Sequence, residues 1–183
     1  MEQNLTAMPE KPLVTVVVMG VSGAGKSYVS AALAAETGWT FLEGDSLHSA
    51  ANRARMHAGL PLNDAERAPW LTAVAGWIGD REAAGENAVV SCSALRRRYR
   101  DVLRAGHPSV WFVHLTVPTE ELERRLLART GHFMPESLLA SQLATLEPLQ
   151  PDEPGTILTT DGDAEQLAAE ILRRLAERRE AAR

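Results

Sequence analysis

The sequence predicts a three-layer α/β/α sandwich built on a parallel five-stranded sheet. Two observations carry this expectation. Strand-like and helix-like segments alternate along most of the 183 residues, and the long strand candidates, Leu13–Met19 and Val110–Val117, are apolar almost throughout. A strand exposed on one face would alternate polar with apolar residues; a continuous apolar run suits a parallel strand covered on both faces.

The elements follow in order. Residues 1–12 read as a flexible lead-in ending at Pro12, and residues 13–183 as one domain. The first strand, Leu13–Met19, runs into a glycine-rich turn, and a helix from Lys26 to Thr37 is closed by Gly38. Trp39–Glu43 is a short second strand. Asp45–His57 and Asp64–Ala84 are helices divided at Gly59-Leu60-Pro61. A third strand, Asn87–Ser93, precedes a basic helix, Leu95–Ala105. Val110–Val117 is the fourth strand. Thr119–Thr130 is a helix with Glu120 and Glu121 in its first turn, where they meet the positive end of the dipole. Pro135–Leu146 is a further helix, Thr156–Thr159 the fifth strand, and Ala164–Ala182 the closing helix.

Composition narrows the function classes. Apolar residues make up 45% of the chain, enough for a core that buries about 70% of the unfolded chain's surface. The single cysteine, Cys92, excludes a disulfide framework and fits a reducing compartment. The opening MEQNLTAMPEKP lacks the basic-then-apolar order of a secretory signal, and no apolar run approaches the ~20 residues needed to span a bilayer. The expectation is a soluble cytoplasmic protein with no membrane partner. A net charge of −5 argues against nucleic acid. Lysine occurs only at Lys11 and Lys26, with arginine used elsewhere, so Lys26 marks a position that wants a compact point charge.

Lys26 lies in Gly20-Val21-Ser22-Gly23-Ala24-Gly25-Lys26-Ser27, which matches G-x-x-x-x-G-K-[ST] at every fixed position, directly after a buried strand and opening a helix. This is the phosphate loop of P-loop nucleotide-binding proteins. Main-chain N–H groups wrap a polyanion there, and the helix adds its positive end. ATP is the expected nucleotide, with contacts from Gly20, Ser22, Gly23, Ala24, Gly25, Lys26 and Ser27. Lys26 reaches the β- and γ-phosphates, and the Ser27 hydroxyl ligates Mg²⁺. The sequence has no guanine-reading N-K-x-D, and the third strand, Val89-Val90-Ser91-Cys92-Ser93, has no acid for the metal. Glu43 and Asp45, beyond a second strand expected beside the phosphate loop, are the nearest replacements; Glu43 would hold Mg²⁺ through water.

A second constellation spans Phe41–Leu71. Gly44-Asp45, His48, Asn52, Arg55-Met56, Gly59, Pro61-Leu62, Asp64, Arg67 and Pro69-Trp70-Leu71 match G-D-x-x-H, N-x-x-[KR]-M and G-x-P-L-x-D-x-x-R-x-P-W-L. Ser91-Cys92-Ser93-Ala94-Leu95 with Tyr99-Arg100, and Arg125-Leu126 through Arg129 with Gly131-His132-Phe133, match two further pieces. Together these resemble the gluconate kinases over nearly the whole chain, from Val16 to Ile171. Glu43 stands where aspartate is frequent and Arg55 where lysine is. The resemblance implies a nucleoside-monophosphate-kinase-like fold with a mobile lid over about 125–150. It implies phosphoryl transfer from ATP to D-gluconate, and a homodimer.

Residue chemistry assigns roles within that frame. Asp45 follows a strand's C-terminal end and suits the acceptor for the substrate hydroxyl proton; the competing reading is a helix N-cap. An acidic polyol needs a cation and several donors, and His48, Arg53, Arg55, Arg100 and His132 are the candidates. Arg125 and Arg129, four apart, present guanidinium groups to the transferring phosphate; the competing reading for Arg125 is an ion pair with Glu121. Trp70 and the other tryptophans read as packing residues, and Cys92 as an apolar filler. Two other readings remain open: a related kinase acting on shikimate or a nucleoside monophosphate, and a nucleotide-binding module without catalysis.

Overall fold

The computed structural model describes residues 12–127, 136–160 and 163–181. The chain runs β1 (Thr15–Met19), α1 (Lys26–Thr37), β2 (Thr40–Glu43), a 3-10 turn (Gly44–Leu47), α2 (Ala50–His57), α3 (Asp64–Ala83), β3 (Ala88–Ser91) and α4 (Arg97–Arg104). It continues with β4 (Val110–Thr116), α5 (Thr119–Leu127), α6 (Glu136–Thr145), β5 (Gly155–Thr159) and α7 (Ala164–Ala181). The five strands form one parallel sheet in the order β2-β3-β1-β4-β5. The α/β/α class and the parallel sheet are therefore as expected.

One expectation is corrected. The second strand does not lie beside the phosphate loop, because β3 separates it from β1. Burial gives the reason. All four residues of β3 are buried, so β3 needs a neighbour on each side, whereas β2 begins on an exposed residue and is only partly buried after it. The less buried strand takes the edge.

Both faces of the sheet are covered, which accounts for the unbroken apolar runs. Val16, Val18, Val113 and Leu115 pack with Leu33 of α1 and Ile171 of α7. Val17, Met19, Val90 and Phe112 pack on the opposite face against Trp70, Val74 and Ile78 of α3 and Leu103 of α4. Each fully buried aliphatic or aromatic side chain contributes about 1.5–3 kcal/mol through removal from water. A smaller cluster joins Val21 of the phosphate loop to Leu95, Leu122 and Leu139. Among the described residues, no helix is long and apolar enough to cross a membrane.

The second face also encloses an ion pair. Arg100 of α4 is fully buried. Its Nε and Nη2 donate to Glu153 Oε1 and Oε2 at 2.6 and 2.8 Å, and its Nη1 donates to the carbonyls of Ala94 and Glu147 at 3.1 and 3.0 Å. Burial alone would raise the Glu153 carboxyl, but the hydrogen bonds from Arg100 and the Gln150 N–H outweigh it and hold the group below its ordinary range. Ala94 adopts φ +43°, and among the described residues it is alone among non-glycines in taking a positive φ. That conformation costs about 1 kcal/mol, and the Arg100 bond to its carbonyl helps to hold it. The neighbouring Ser93 carbonyl accepts the Gly20 N–H at 3.3 Å, so this loop abuts the phosphate loop.

Replacing Glu153 by Gln leaves the buried Arg100 charge without its counter-charge. The expected loss is about 3–5 kcal/mol of unfolding free energy, read by urea denaturation. His114 on β4 is buried with Nδ1 unpartnered among the described residues, and burial, reinforced by the Arg100 charge, pushes its pKa down to about 4. A histidine with a depressed folded pKa is protonated in the unfolded chain first. Its contribution is therefore complete above about pH 6.5 and is lost as pH falls toward about 4, by about 3 kcal/mol in all. His114→Leu should flatten the stability profile across that window, measured by denaturation at stepped pH.

Candidate active site

The carboxyl ends of β1, β3 and β2 bring the two sequence constellations to one end of the sheet, the place where open α/β sheets bind ligands. From β1 the chain enters the phosphate loop at Gly20, with φ +137°. A Cβ on Gly20 would lie 2.7 Å from the Leu115 carbonyl oxygen, so the loop can leave the sheet this close to β4 only with glycine there. α1 then begins with Gly25 as N-cap, without a side-chain cap and without an acid in its first turn. α3 is the contrast: Asn63 and Glu66 close its N-terminus with a reciprocal capping box. The open end of α1 leaves its first N–H groups and the positive end of its dipole for an anion.

Lys26 Nζ donates to the Val21 carbonyl at 3.1 Å, which folds the side chain back over the loop. Ser27 is exposed at the first turn of α1. Ser22 is corrected: its main-chain N–H, expected in the phosphate cradle, donates to Gln142 Oε1 of α6 at 2.7 Å. The contact spans 120 positions and no local pattern announces it.

From β2 the chain enters the 3-10 turn Gly44–Leu47, not the continuous helix expected over Asp45–His57. The cap of α2 is Ser49, whose Oγ accepts the Asn52 N–H at 3.1 Å. Asp45 is thus relieved of the capping role and its side chain is 62% exposed. His48 is buried beside it, with Nε2 3.8 Å from Asp45 Oδ1. The His48 ring stacks on Trp70 at 4.2 Å between centroids, and Trp70 Nε1 donates to the Gly44 carbonyl at 2.8 Å. Burial holds the His48 imidazole below its ordinary pKa; the Asp45 charge pulls it upward, and Arg67 and Arg53 add to the lowering. The ring is therefore neutral at pH 7, and among the described residues Nδ1 has no partner. Arg53 Nη1 donates to the His48 carbonyl and braces the turn from α2.

Glu43 accepts a hydrogen bond from the Ser91 hydroxyl, and this ties the edge strand to β3 beneath the turn. Cys92 is buried and its thiol is pushed up to about 12, first by burial and then by the Asp45 charge, with Lys26 pulling the other way. It is inert as a nucleophile.

Other expected residues fall elsewhere. Arg100 is corrected: it is spent inside the core on Glu153 and cannot receive a substrate carboxylate. Arg55 is on the surface of α2, 3.1 Å from Glu66. Arg125 pairs with Glu121 at 2.7 Å, the competing reading, and also donates to Thr160 Oγ1 and O at 3.2 and 3.1 Å. Arg129 and His132 lie outside the described residues.

Beside the phosphate loop opens a cavity of about 560 Å³, whose wall includes Gly25, Tyr28, Arg124, Arg125, Thr160 and Glu165. Sequence reasoning missed this wall, because it joins the first turn of α1 to α5 and to the β5–α7 connection.

Among the described residues, no group of three or more His, Cys, Asp and Glu could hold a metal ion. Mg²⁺ takes one or two protein ligands and completes its shell with water and phosphate oxygens, and the Ser27 hydroxyl and Glu43 carboxylate are chemically fit for it.

Comparison with known proteins agrees with this geometry. A family model described as an AAA domain matches residues 15–149. A gluconokinase of Gluconobacter oxydans (strain 621H) is 47% identical over 173 residues, covering 94% of this chain and 97% of that protein. The crystal structure of a sugar kinase from Janibacter sp. HTCC2649 is 51% identical with a TM-score of 0.85, covering 90% of this chain and 95% of that one. A gluconokinase from Sinorhizobium meliloti 1021 is 45% identical with a TM-score of 0.79, covering 90% and 94%.

The Asp45 turn makes a structural prediction. A Cβ on Gly44 would overlap the Ser91 carbonyl oxygen, so Gly44→Ala must push the turn off β3. The expected outcome is a fall of at least about tenfold in kcat for phosphoryl transfer, because a small misplacement of a reacting group costs that much or more. Steady-state kinetics beside a thermal melt separate this from unfolding.

Proposed function

The chain belongs to the gluconokinase family of P-loop kinases, and we propose that it transfers the γ-phosphoryl group of ATP to the 6-hydroxyl of D-gluconate, giving 6-phospho-D-gluconate and ADP. The observation that carries this reading is the meeting, at one end of the sheet, of an uncapped phosphate loop with the Gly44-Asp45 turn.

Each residue has a task in an in-line displacement. The loop N–H groups of Gly23 and Gly25 and the open end of α1 hold the phosphate chain, the Ala24 N–H being donated to the Val21 carbonyl at 3.2 Å, and Lys26 neutralises charge on the β- and γ-phosphates. Asp45, exposed and unencumbered by capping, accepts a hydrogen bond from the 6-hydroxyl, aims its oxygen at the γ-phosphorus and takes its proton as the P–O bond forms. Neutral His48 and the Arg53 side of the turn bind the polyol chain and its carboxylate, with Arg55 at the rim. Arg125 walls the nucleotide cavity, while Arg129 and His132 are assigned by the family motif to the phosphate and the substrate. Mg²⁺, held by Ser27 and through water by Glu43, would neutralise charge on the phosphate oxygens. A homodimer and a cytoplasmic location complete the proposal.

An ADP-release assay across gluconate, other sugar acids, shikimate and nucleoside monophosphates tests the assignment. Gluconate should give the highest kcat/KM; a faster alternative acceptor would overturn the reading. Lys26→Ala should lower kcat about 10³-fold. Asp45→Asn should lower kcat about 10²–10⁴-fold while leaving ATP affinity within about threefold. An equal loss of ATP affinity would move Asp45 from proton acceptor to metal holder.

A further inference from the structure

Tyr28 is unexplained by the mechanism. It stands in the first turn of α1, two residues after Lys26, and is 70% exposed. Its hydroxyl makes no hydrogen bond among the described residues. The other large exposed apolar side chains, Leu60, Val102 and Ile157, lie elsewhere, whereas Tyr28 lines the cavity beside the phosphate loop. An aromatic ring left open to water on the wall of a ligand cavity is a surface awaiting a flat partner.

The rest of the wall says how that partner is held. Arg124 is 72% exposed, and its Nε and Nη2 are both taken by Glu121 at 2.7 Å. A guanidinium paired along its edge keeps its flat face for stacking. Both oxygens of Thr160 already accept hydrogen bonds from Arg125, and its carbonyl keeps a second lone pair. Glu165, the remaining charged group on the wall, is an acceptor when ionised. Adenine, guanine and cytosine all carry an amino donor, so Glu165 does not separate them.

We propose that Tyr28 holds the nucleoside of the phosphate donor by stacking its ring face on the base. Stacking tolerates any base, because every base has a π-face. The nucleotide's affinity is then divided between the phosphate loop and Tyr28. This deepens the kinase reading and rests on it.

The test is calorimetric titration of the full chain with ADP, GDP, CDP and inorganic tripolyphosphate, without any acceptor. Tyr28→Ala should weaken each nucleotide about tenfold and leave tripolyphosphate unchanged, and Tyr28→Phe should bind as the wild type does. A melt unchanged by either substitution confirms folding, as the exposure of Tyr28 leads one to expect. Unaltered nucleotide affinity in Tyr28→Ala would overturn the inference. So would an equal loss for tripolyphosphate, which would mean that Tyr28 acts through the loop backbone. If the wild type bound neither nucleotides nor tripolyphosphate, the kinase reading itself would fall; if it bound them and only the variants disagreed, this inference alone would fall.

Discussion

A parallel sheet sealed on both faces has few places to put polar groups, and this constraint organises the molecule. β1 is fully buried, paired on both edges and apolar after Thr15, so the chain opens to polar ligands only after its last residue. The phosphate loop begins at that point, and the Asp45 turn occupies the equivalent point two strands away. The sheet supplies rigidity as well as direction. Every strand is locked by its neighbours, so loop positions at the same end are fixed relative to one another without a contact between them. Phosphoryl transfer needs this kind of positioning, since its catalysis is mostly alignment and charge neutralisation.

Two polar networks under the site extend the same logic into the loops. Glu43 and Ser91 fasten the edge strand to β3 directly below Asp45, and Trp70 fastens the Gly44 carbonyl from the opposite layer while stacking on His48. The Arg100–Glu153 pair performs this task for the Ser93-Ala94 loop. A buried ion pair is a costly device that a hydrophobic pair could often replace without loss. Here it does something a hydrophobic pair cannot: it donates to the carbonyl of a residue held at positive φ, next to the loop that holds phosphate.

Much of this was legible in the sequence, and the limit has a physical shape. Apolar runs, glycine stops and the Gly20–Ser27 pattern are local, because they reflect dihedral preferences and burial of consecutive residues. The fold class and the phosphate loop follow from them. What stayed hidden depends on partners far apart in the chain. Arg100 reads as a cation on a basic helix, and only the return of Glu153, 53 residues later, shows it to be interior. Ser22 reads as a cradle residue until Gln142 arrives from α6. The edge position of β2 was hidden too, since strand order depends on relative burial across the whole sheet, and Trp39–Glu43 alone does not carry it.

The same distinction applies to the arginines among the described residues, many of which are paired with carboxylates. Arg97 binds Asp152, Arg98 binds Asp64, Arg124 and Arg125 share Glu121, and Arg173 and Arg174 share Glu170. Such exposed pairs are worth little individually, but they settle where positive potential does not accumulate. Within the basic stretch Arg96–Arg100, Arg96 and Arg98 both meet Asp64, Arg97 meets Asp152, and Arg100 meets Glu153 in the core. At the phosphate loop positive potential comes from Lys26 and also from the open end of α1, where partial charges on main-chain N–H groups lack a side-chain cap. A helix dipole cannot be neutralised by a neighbouring carboxylate as a guanidinium can, unless an acid stands in the first turn, and α1 has none there. Part of the charge available to a phosphate is therefore written in the backbone, and side-chain composition understates it.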